Sequence, residues 1–227
     1  TFTVTWAGSD ATSGIATYDV QYRIDDGEWQ RWFSGVTQTQ ALFEGNQEGS
    51  TYYFACRAAD RAGNVEEWPE DPDYDTFTVL DLTPPASSAA APDYDTGGAI
   101  PVSWTASDGL AGVASTELWV RTPPTTTWTA SGLVLTGTSG VFAYTPTVGD
   151  GTYYFATRAQ DSAGNWEAAP SGAGDDSTVY DTTPPASQVD ALPAYSLAVF
   201  TVTWSGSDAT SGLLDYDVQV CWIDCFS

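Results

Sequence analysis

The side chains in this sequence that could do chemistry are carboxylates, and they recur in a few short phrases. Aspartates open the phrases DLTPP at 81–85 and DTTPP at 181–185, and others lie in SDGLAG at 107–112 and DSAGN at 161–165. Asp and Asn oxygens are the ligands that Ca²⁺ prefers, and about six to eight of them are needed. The same residue types form turns by accepting hydrogen bonds from nearby backbone amides, so both interpretations stay open.

Catalysis is not expected. Histidine and lysine are absent, which excludes Ser–His–Asp triads, Cys–His pairs and amine nucleophiles. Three scattered cysteines do not suit the usual zinc sites. A carboxylate pair can hydrolyse a glycoside, but thirty acids always offer pairs. Only Glu117 has a partly apolar context, and its counterpart Asp19 marks an ordinary outward strand position, so no catalytic residue is predicted.

The charge of the chain restricts its partners. Thirty acidic residues against six basic ones give a formal net charge of −24, which argues against nucleic acid or anionic lipid as partners. Divalent cations or cationic surfaces fit better, and a merely soluble acidic surface is the simpler alternative. No apolar run approaches the ~18 residues of a membrane span. With neither a signal peptide nor a methionine, the sequence is expected to be an internal or processed piece.

The three cysteines are expected to differ. Cys56 stands where a second copy of its phrase has Thr157, which predicts a buried free thiol and not half of a shared disulfide. Cys221 and Cys225 are four residues apart, about 13 Å on a continuous strand, and could be bridged only across a turn.

The chain is a repeat array. Residues 1–22 and 199–220 are identical at sixteen of twenty-two positions, and Trp6, Trp104 and Trp204 head the same phrase. YYFACRAADRAGN at 52–64 returns as YYFATRAQDSAGN at 153–165. The period is about 100 residues, so the sequence predicts one complete repeat between two incomplete ones.

Short runs rich in β-branched and aromatic residues alternate with turn signals throughout. FTVTW, TYDVQYR, STYYFACRAA and DTFTVLD are separated by clusters such as SDATSG and DRAGN, and no helical stripe is sustained. The pattern predicts an all-β protein. Alternation assigns the core faces. These faces hold Phe2, Val4, Trp6, Tyr18, Val20, Tyr22, Tyr52, Phe54, Cys56 and Ala58 in the first copy, and Val102, Trp104, Leu118, Val120, Tyr153, Phe155, Thr157 and Ala159 in the second.

These residues resemble the fibronectin type III and immunoglobulin-like repeats of large secreted bacterial proteins. The resemblance rests on the strand Trp of each copy, the YxFxxxAxDxAGN stretch and the DxTPP linkers, and it covers the chain except 221–227. It implies tandem seven-stranded sandwiches with strands named A to G, in an extracellular or cell-surface protein.

The resemblance also sets the domain boundaries. Residues 1–82 form a repeat without strand A, 83–182 a complete repeat, and 183–227 a partial repeat with strands A, B and the start of C. An incomplete sandwich leaves an apolar face and open strand edges in water, unless another molecule covers them. The final CWIDCFS departs from the pattern.

The topology implied by the resemblance brings the linker aspartate beside the B–C and F–G loops of the next repeat. Several oxygen ligands would then converge, and calcium at repeat junctions would stiffen the array. The turn-forming alternative applies to every one of these residues. The candidate calcium ligands are Asp81, Asp108, Asp161, Asn165, Asp181 and Asp208.

Two other features are weaker candidates. The acidic stretch EEWPEDPDYD at 66–75 spaces its aspartates like the start of an EF-hand loop, but it lacks the required Gly and Glu and is expected to be a solvated loop. Trp119 should point outward, and five tryptophans lie in or beside loops, where they could stack on sugars or pack beneath the loops. Those five are Trp29, Trp32, Trp68, Trp128 and Trp166.

Two functions suit a non-catalytic repeat protein of this kind. In the first, the repeats build an extracellular stalk or filament, and another subunit donates the strand A that the first repeat lacks; the segment 184–200 is the candidate donor. In the second, they are adhesin or carbohydrate-binding modules excerpted from a larger secreted or cell-surface protein. The expected partners are other copies or neighbouring repeats, a glycan or a surface protein, with no membrane insertion.

Overall fold

The computed structural model describes residues 1–221, and all the regular secondary structure in this range is β-strand. The chain divides into two compact units. The first holds residues 1–84 with the short segments 109–112 and 161–165, and the second holds 85–108, 113–160 and the residues from 166 onward. The described range contains no helix long and apolar enough to cross a membrane. The expectation for Cys221 and Cys225 depends on residues outside that range.

The first unit contains six strands in two sheets. They are β1 Phe2–Thr5, β2 Ile15–Ile24, β3 Gln30–Val36, β4 Gln40–Phe43, β5 Thr51–Asp60 and β6 Thr76–Val79. Strands β1 and β4 pair with each other, and the second sheet has the order β3-β2-β5-β6. Within the described range no strand pairs with the other edge of β1.

Aromatic rings fill the core of the first unit. Val4 of β1, Trp6 directly after it, and Tyr52 and Phe54 of β5 are buried, as their alternation predicts. The ring of Phe43 lies 5.5 Å from Tyr52 and 5.0 Å from Phe54, in edge-on contacts. Each fully buried side chain of this size contributes roughly 1.5–3 kcal/mol.

One loop tryptophan of the sequence analysis belongs to this core. Trp32 lies in β3, with its ring 6.0 Å from Trp6 and 5.1 Å from Phe43. Trp32 therefore packs within the sandwich, which is the alternative to stacking on a sugar.

The second repeat is a complete β-sandwich. Its strands are β7 Ala86–Ala90, β8 Tyr94–Asp95, β9 Ile100–Ser107, β10 Val113–Arg121, β11 Thr129–Leu135, β12 Ser139–Tyr144, β13 Gly151–Asp161 and β14 Asp176–Tyr180. One sheet has the order β12-β9-β7 and the other β11-β10-β13-β14-β8. The predicted core faces meet between them, with Val102, Leu118, Tyr153, Phe155 and Ala159 buried. The predicted all-β sandwich is confirmed.

This repeat has eight strands and not seven, because the expected strand A is divided. Strand β7 pairs with β9, whereas β8 pairs in parallel with β14 in the opposite sheet. Pro92 stands between them and has no amide hydrogen for either ladder. Its carbonyl instead accepts a hydrogen bond from Thr178 Oγ1 at 2.8 Å.

The third repeat forms a single antiparallel pair. Strand β15 Ala186–Val189 pairs with β16 Trp204–Ser207. No strand is assigned from 208 to 221, so the expected start of strand C is not formed there. A strand needs a neighbour for its backbone hydrogen bonds, and the described residues offer none. Trp204, expected in a core, is 44% exposed for the same reason.

Candidate metal centre and ligand surfaces

Three of the predicted metal ligands lie close together. Carboxylate oxygens of Asp81, Asp108 and Asp161 are all within 4.8 Å of one another. Asp81 and Asp161 are buried and belong to the first unit, and Asp108 is half-buried and directly precedes that unit's segment 109–112. Ionised carboxylates at this separation repel one another, and a divalent cation would offset the repulsion. Calcium binding here remains a prediction.

Protein donors also engage these carboxylates, as the turn-forming alternative requires. Asp161 accepts the backbone amide of Asn165 at 2.8 Å and its side-chain Nδ2 at 2.7 Å. Asp81 accepts the amides of Thr83 at 3.0 Å and Ala111 at 2.8 Å. The same Nδ2 of Asn165 donates to the Asp81 carbonyl at 3.1 Å, so this amide group acts as a donor. Asp161 Oδ1 accepts two amides, those of Gly164 at 2.7 Å and Asn165 at 2.8 Å, so a cation would bind this carboxylate through Oδ2.

The remaining predicted ligands form a smaller pair. Asp181 accepts the amides of Thr183 at 3.0 Å and Ser211 at 2.9 Å, and Ser211 also donates to Asp208 at 2.8 Å. A hydrogen bond from the Gly212 amide, with others from this loop, lowers the pKa of Asp208. Asp150 also contacts Asp181, but among residues 1–221 no group of three acids that includes this pair has its oxygens all within 4.8 Å of one another. This pair supplies fewer carboxylate oxygens than the group of three, and calcium binding here remains a prediction.

The first repeat keeps the loop aspartates without a linker acid. Asp10 accepts the amides of Ser13 at 2.6 Å and Gly14 at 2.8 Å, and these bonds lower its pKa. The pKa of Asp60 is lowered chiefly by the side-chain hydrogen bond from Asn64. Both residues therefore stabilise turns.

The acidic stretch 66–75 does not form a metal loop. Asp71 pairs with Arg23 at 2.9 Å, whereas Asp75 accepts the amide of Cys56 at 2.7 Å. These two carboxylates thus have separate partners. The stretch is mostly exposed, as expected of a solvated loop, but both of its ends accept amides of β5 and Asp71 in its middle pairs with Arg23 of β2.

An open groove runs along the first sandwich where a strand A would lie. A cavity of about 750 Å³ is lined by residues of β1, β2, β5 and the loops after β5. Its apolar lining includes Val4, Trp6, Val20, Phe54 and Ala58. These side chains belong to the predicted core face, and all of them except half-buried Ala58 are buried beneath the groove.

In the second repeat, two carboxylates hold strand β7 in the matching position. Glu167 accepts the Ser87 amide at 3.0 Å and its hydroxyl, and also the Ala159 amide of β13 at 3.0 Å. Asp175 Oδ2 accepts the amide of Ala89 and that of Thr157, each at 2.9 Å. The two acids therefore bridge β7 of one sheet and β13 of the other, two strands that do not pair directly.

The first repeat has the same two acids, and they accept hydrogen bonds from β5 but not from a strand in the position of β7. Glu66 accepts the amide of Ala58 at 3.1 Å, as Glu167 accepts that of Ala159. Asp75 is the counterpart of Asp175. The sequence analysis missed these residues, although the phrase AGNxE recurs at 62–66 and 163–167 and would have identified Glu66 and Glu167.

Cys56 lies beside this groove. It is a free thiol, as predicted, but half-buried and not buried. Its counterpart Thr157 is buried in the sandwich that β7 completes. Desolvation, with the nearby negative charge of Asp75, raises the pKa of the Cys56 thiol to about 12. The thiol is therefore protonated at neutral pH.

Arginines and aromatic rings alternate on the outer face of the larger sheet in both repeats. Arg23 lies between the rings of Trp29 and Tyr53, at 5.1 and 4.9 Å from their centres. Arg121 has the same place between Trp128 and Tyr154, at 5.3 and 4.0 Å. Cation–π contacts of this kind fix the guanidinium group on the surface.

A second arginine follows in each repeat. Arg57 stacks on Trp68 at 4.8 Å and pairs with Asp19 at 2.8 Å. Arg158 stacks on Trp166 at 4.7 Å. Burial raises the pKa of Asp19, but hydrogen bonds from Arg57 and from residues of β3 outweigh it and leave that pKa lowered.

Glu117 takes part in the corresponding pair of the second repeat. It lies 3.5 Å from Arg158 and accepts the Nε1–H of half-buried Trp119 at 2.7 Å. Its surroundings are therefore polar. Most of the loop tryptophans stack against an arginine guanidinium group and are only partly exposed.

No protein-family model matches the chain. Two similar proteins are chitinase A1 of Niallia circulans and exoglucanase B of Cellulomonas fimi. The first is 27% identical over 212 residues, which cover 90% of this chain and 27% of the chitinase. The second is 31% identical over 232 residues, which cover 95% of this chain and 19% of the exoglucanase. The chain thus spans only a fifth to a quarter of these relatives.

Two solved structures also match part of the chain at low similarity. A cytokine receptor complex is 20% identical with a TM-score of 0.31, covering 73% of this chain and 86% of that one. The FN1–FN3 domains of chicken CNTN1 are 13% identical with a TM-score of 0.29, covering 84% of this chain and 67% of theirs.

Proposed function

We propose that this chain is a non-catalytic repeat module of a larger extracellular protein that acts on a polysaccharide. The observation that carries the proposal is the similarity over nearly the whole chain to small parts of two proteins named as a chitinase and an exoglucanase. A chain without histidine or lysine suits an accessory role. Incubation with chitin and with cellulose should release no reducing sugar above a buffer control, whereas sustained release would overturn the proposal.

A structural role for the first repeat is the second candidate, and the open groove favours it. We infer that the groove accepts an extended segment of strand-A type donated by a second copy of the chain, which would build a stalk or filament. The apolar lining would bury the inward side chains of such a strand. Glu66 Oε1 and Asp75 Oδ2 would accept its amides, as Glu167 and Asp175 accept those of β7.

A synthetic peptide tests the groove directly. The peptide of residues 83–92, TPPASSAAAP, contains β7 and should quench or shift the fluorescence of Trp6 in a saturable way. Glu66→Gln should weaken binding at least tenfold, because it keeps an oxygen for Ala58 but presents an amide donor to the incoming N–H group. Glu70→Gln, in the exposed acidic stretch, is the matched control and should bind normally.

Assembly needs a separate measurement. Particle mass and negative-stain imaging should give filaments for the full chain and monomers after deletion of 183–200. Peptide binding without filaments would mean that the groove accepts a strand but not one from a second copy, which would overturn donation between copies. Failure of the peptide to bind would overturn the strand acceptor altogether.

Calcium binding by Asp81, Asp108 and Asp161 is the third part of the proposal. The proximity of the three carboxylates supports it. A ligand that binds only the folded state raises the melting midpoint by mass action, so excess calcium should raise it relative to chelator. Asp108→Asn should remove the shift, and Asp208→Asn, in the two-acid pair, should leave it. Equal midpoints in calcium and chelator would refute the site.

A further inference from the structure

Three aromatic rings cluster on the outer face of the first repeat, away from its core. Tyr53 of β5 lies 4.6 Å from Tyr74 and 6.0 Å from Phe77 of β6, between ring centres, and the latter two are 5.6 Å apart. Tyr74 is 40% exposed and Phe77 54% exposed. Exposed apolar rings in contact with one another mark a binding surface more often than isolated ones do.

The fold does not require these rings. The second repeat has the counterpart of Tyr53 in Tyr154, which pairs with Ser177 where Tyr53 pairs with Phe77. Gly174 stands in the place of Tyr74, with a φ of +81°, and a Cβ atom there would overlap the ring of Trp128. The complete sandwich thus forms without either exposed ring, so Tyr74 and Phe77 are additions to the first repeat.

Fixed polar groups border the rings. Arg23 is held over Tyr53, and its Nη1 donates to Asp71 at 2.9 Å while its Nη2 donates to the Pro72 carbonyl at 3.0 Å. The side chain of Asp71 is 74% exposed, so it retains acceptor capacity for a ligand hydroxyl. Apolar rings beside a few oriented polar groups are the usual composition of a ligand site.

We propose that this face of the first repeat, formed by Tyr53, Tyr74 and Phe77 with Arg23 and Asp71, binds a neutral polysaccharide chain. Pyranose rings have apolar C–H faces that can stack on aromatic rings, and their hydroxyl groups can donate to the exposed Asp71 carboxylate, which the largely buried Arg23 holds in place. The net charge of −24 opposes a polyanion. This inference rests on the proposed function, in which the larger protein acts on a polysaccharide.

The size of the face also favours a sugar chain over a protein. Tyr74 and Phe77 together expose about 200 Å², given 150–250 Å² for each aromatic side chain. A stable protein interface needs about 800 Å² from each partner. The exposed rings therefore cover too little area for a stable contact between subunits, but enough for a few sugar units.

Retention of the full chain on insoluble polysaccharide tests the proposal, with cellulose and chitin as the two probes. The chain should be retained on at least one, and the double variant Tyr74→Ala/Phe77→Ala should lose at least tenfold in affinity. Tyr94→Ala, which removes a 60% exposed ring elsewhere, is the matched control and should bind normally. Lack of retention on both probes, or equal retention of the double variant, would overturn it.

Two further measurements separate this site from the rest of the molecule. The double variant should keep its urea midpoint and its binding of the 83–92 peptide, because both substituted side chains face outward. Loss of peptide binding or of stability would mean that the rings support the fold, which contradicts the proposal. Ser177→Phe, which places a ring at the equivalent position of the second repeat, should increase the retention of the double variant. Unchanged retention would contradict the proposal that such a ring binds sugar.

Discussion

The first and second repeats share equivalent strands, β1–β6 and β9–β14, but only the second has β7 along the remaining edge of its smaller sheet. Ala159 is fully buried there, whereas its counterpart Ala58 is half-buried beside a cavity. The acids that hold β7 are nevertheless present in both repeats. The position of a strand A is therefore encoded in the side chains that receive it as well as in the strand itself.

On the outer faces it is the first repeat that has the additional feature. Both hold an arginine between two aromatic rings, but the first adds Tyr74 and Phe77 where the second has Gly174 and Ser177. The shared arginine contacts thus stabilise the common surface of the sandwich. The added rings are the feature that the shared fold does not explain.

The largest expected effect is the loss of a core tryptophan. Trp104→Ala should lower the free energy of unfolding by about 3–5 kcal/mol, because the side chain is 2% exposed in a closed core. Trp6→Ala should cost less, since its ring lines the open groove and is 7% exposed. Urea denaturation of the two variants measures the difference, and a larger loss for Trp6→Ala would contradict the comparison.

Removal of the bridging glutamates should give a smaller difference in the same direction. Glu167→Ala leaves the amides of Ser87 and Ala159 without their acceptor and should cost about 2–4 kcal/mol. Glu66→Ala affects the Ala58 amide alone among its backbone donors and should cost about 1 kcal/mol. Equal losses of unfolding free energy in the two variants, measured by urea denaturation, would contradict the idea that Glu66 lacks the second partner that Glu167 has in Ser87.

The reactivity of Cys56 sharpens the comparison without a change in the fold. With a pKa of about 12, the thiol should react with a thiol reagent at pH 8 at least tenfold more slowly than free cysteine. The 83–92 peptide should slow the reaction further by covering the groove. Absorbance of the released reagent measures the rate in a chain with Cys221→Ser and Cys225→Ser. A rate equal to that of free cysteine would contradict the burial of this thiol.

The smallest effect is expected in acid. Hydrogen bonds lower the pKa values of Asp10 and Asp60 in the folded state, so these residues favour the folded state above the unfolded pKa of about 3.9. This contribution disappears as the pH falls through the folded values. The melting midpoint should hold from pH 7 to 5 and fall below about pH 4, with a shallower fall for Asp60→Asn. An unchanged slope in this variant would exclude the Asp60 turn as a cause.

Much of the fold could be predicted because duplication and alternation are local properties of the sequence. The repeat of Trp6 at Trp104, the core faces of β5 and β13, and the absence of a strand A before β1 all follow from residue order and the two-residue period of a strand. Asp81 and Asp161 were predicted to lie close together only through the topology that the resemblance implied.

Sequence alone determined that this protein is an all-β repeat array with an acidic surface and no histidine or lysine for catalysis. Only the tertiary structure decided that Trp204 is exposed, that Glu66 and Asp75 border an open groove, and that Tyr74 and Phe77 meet Tyr53 on one face. Exposure and convergence depend on which strands are neighbours. Residues far apart in sequence acquire those neighbours only when the sheets pair and pack.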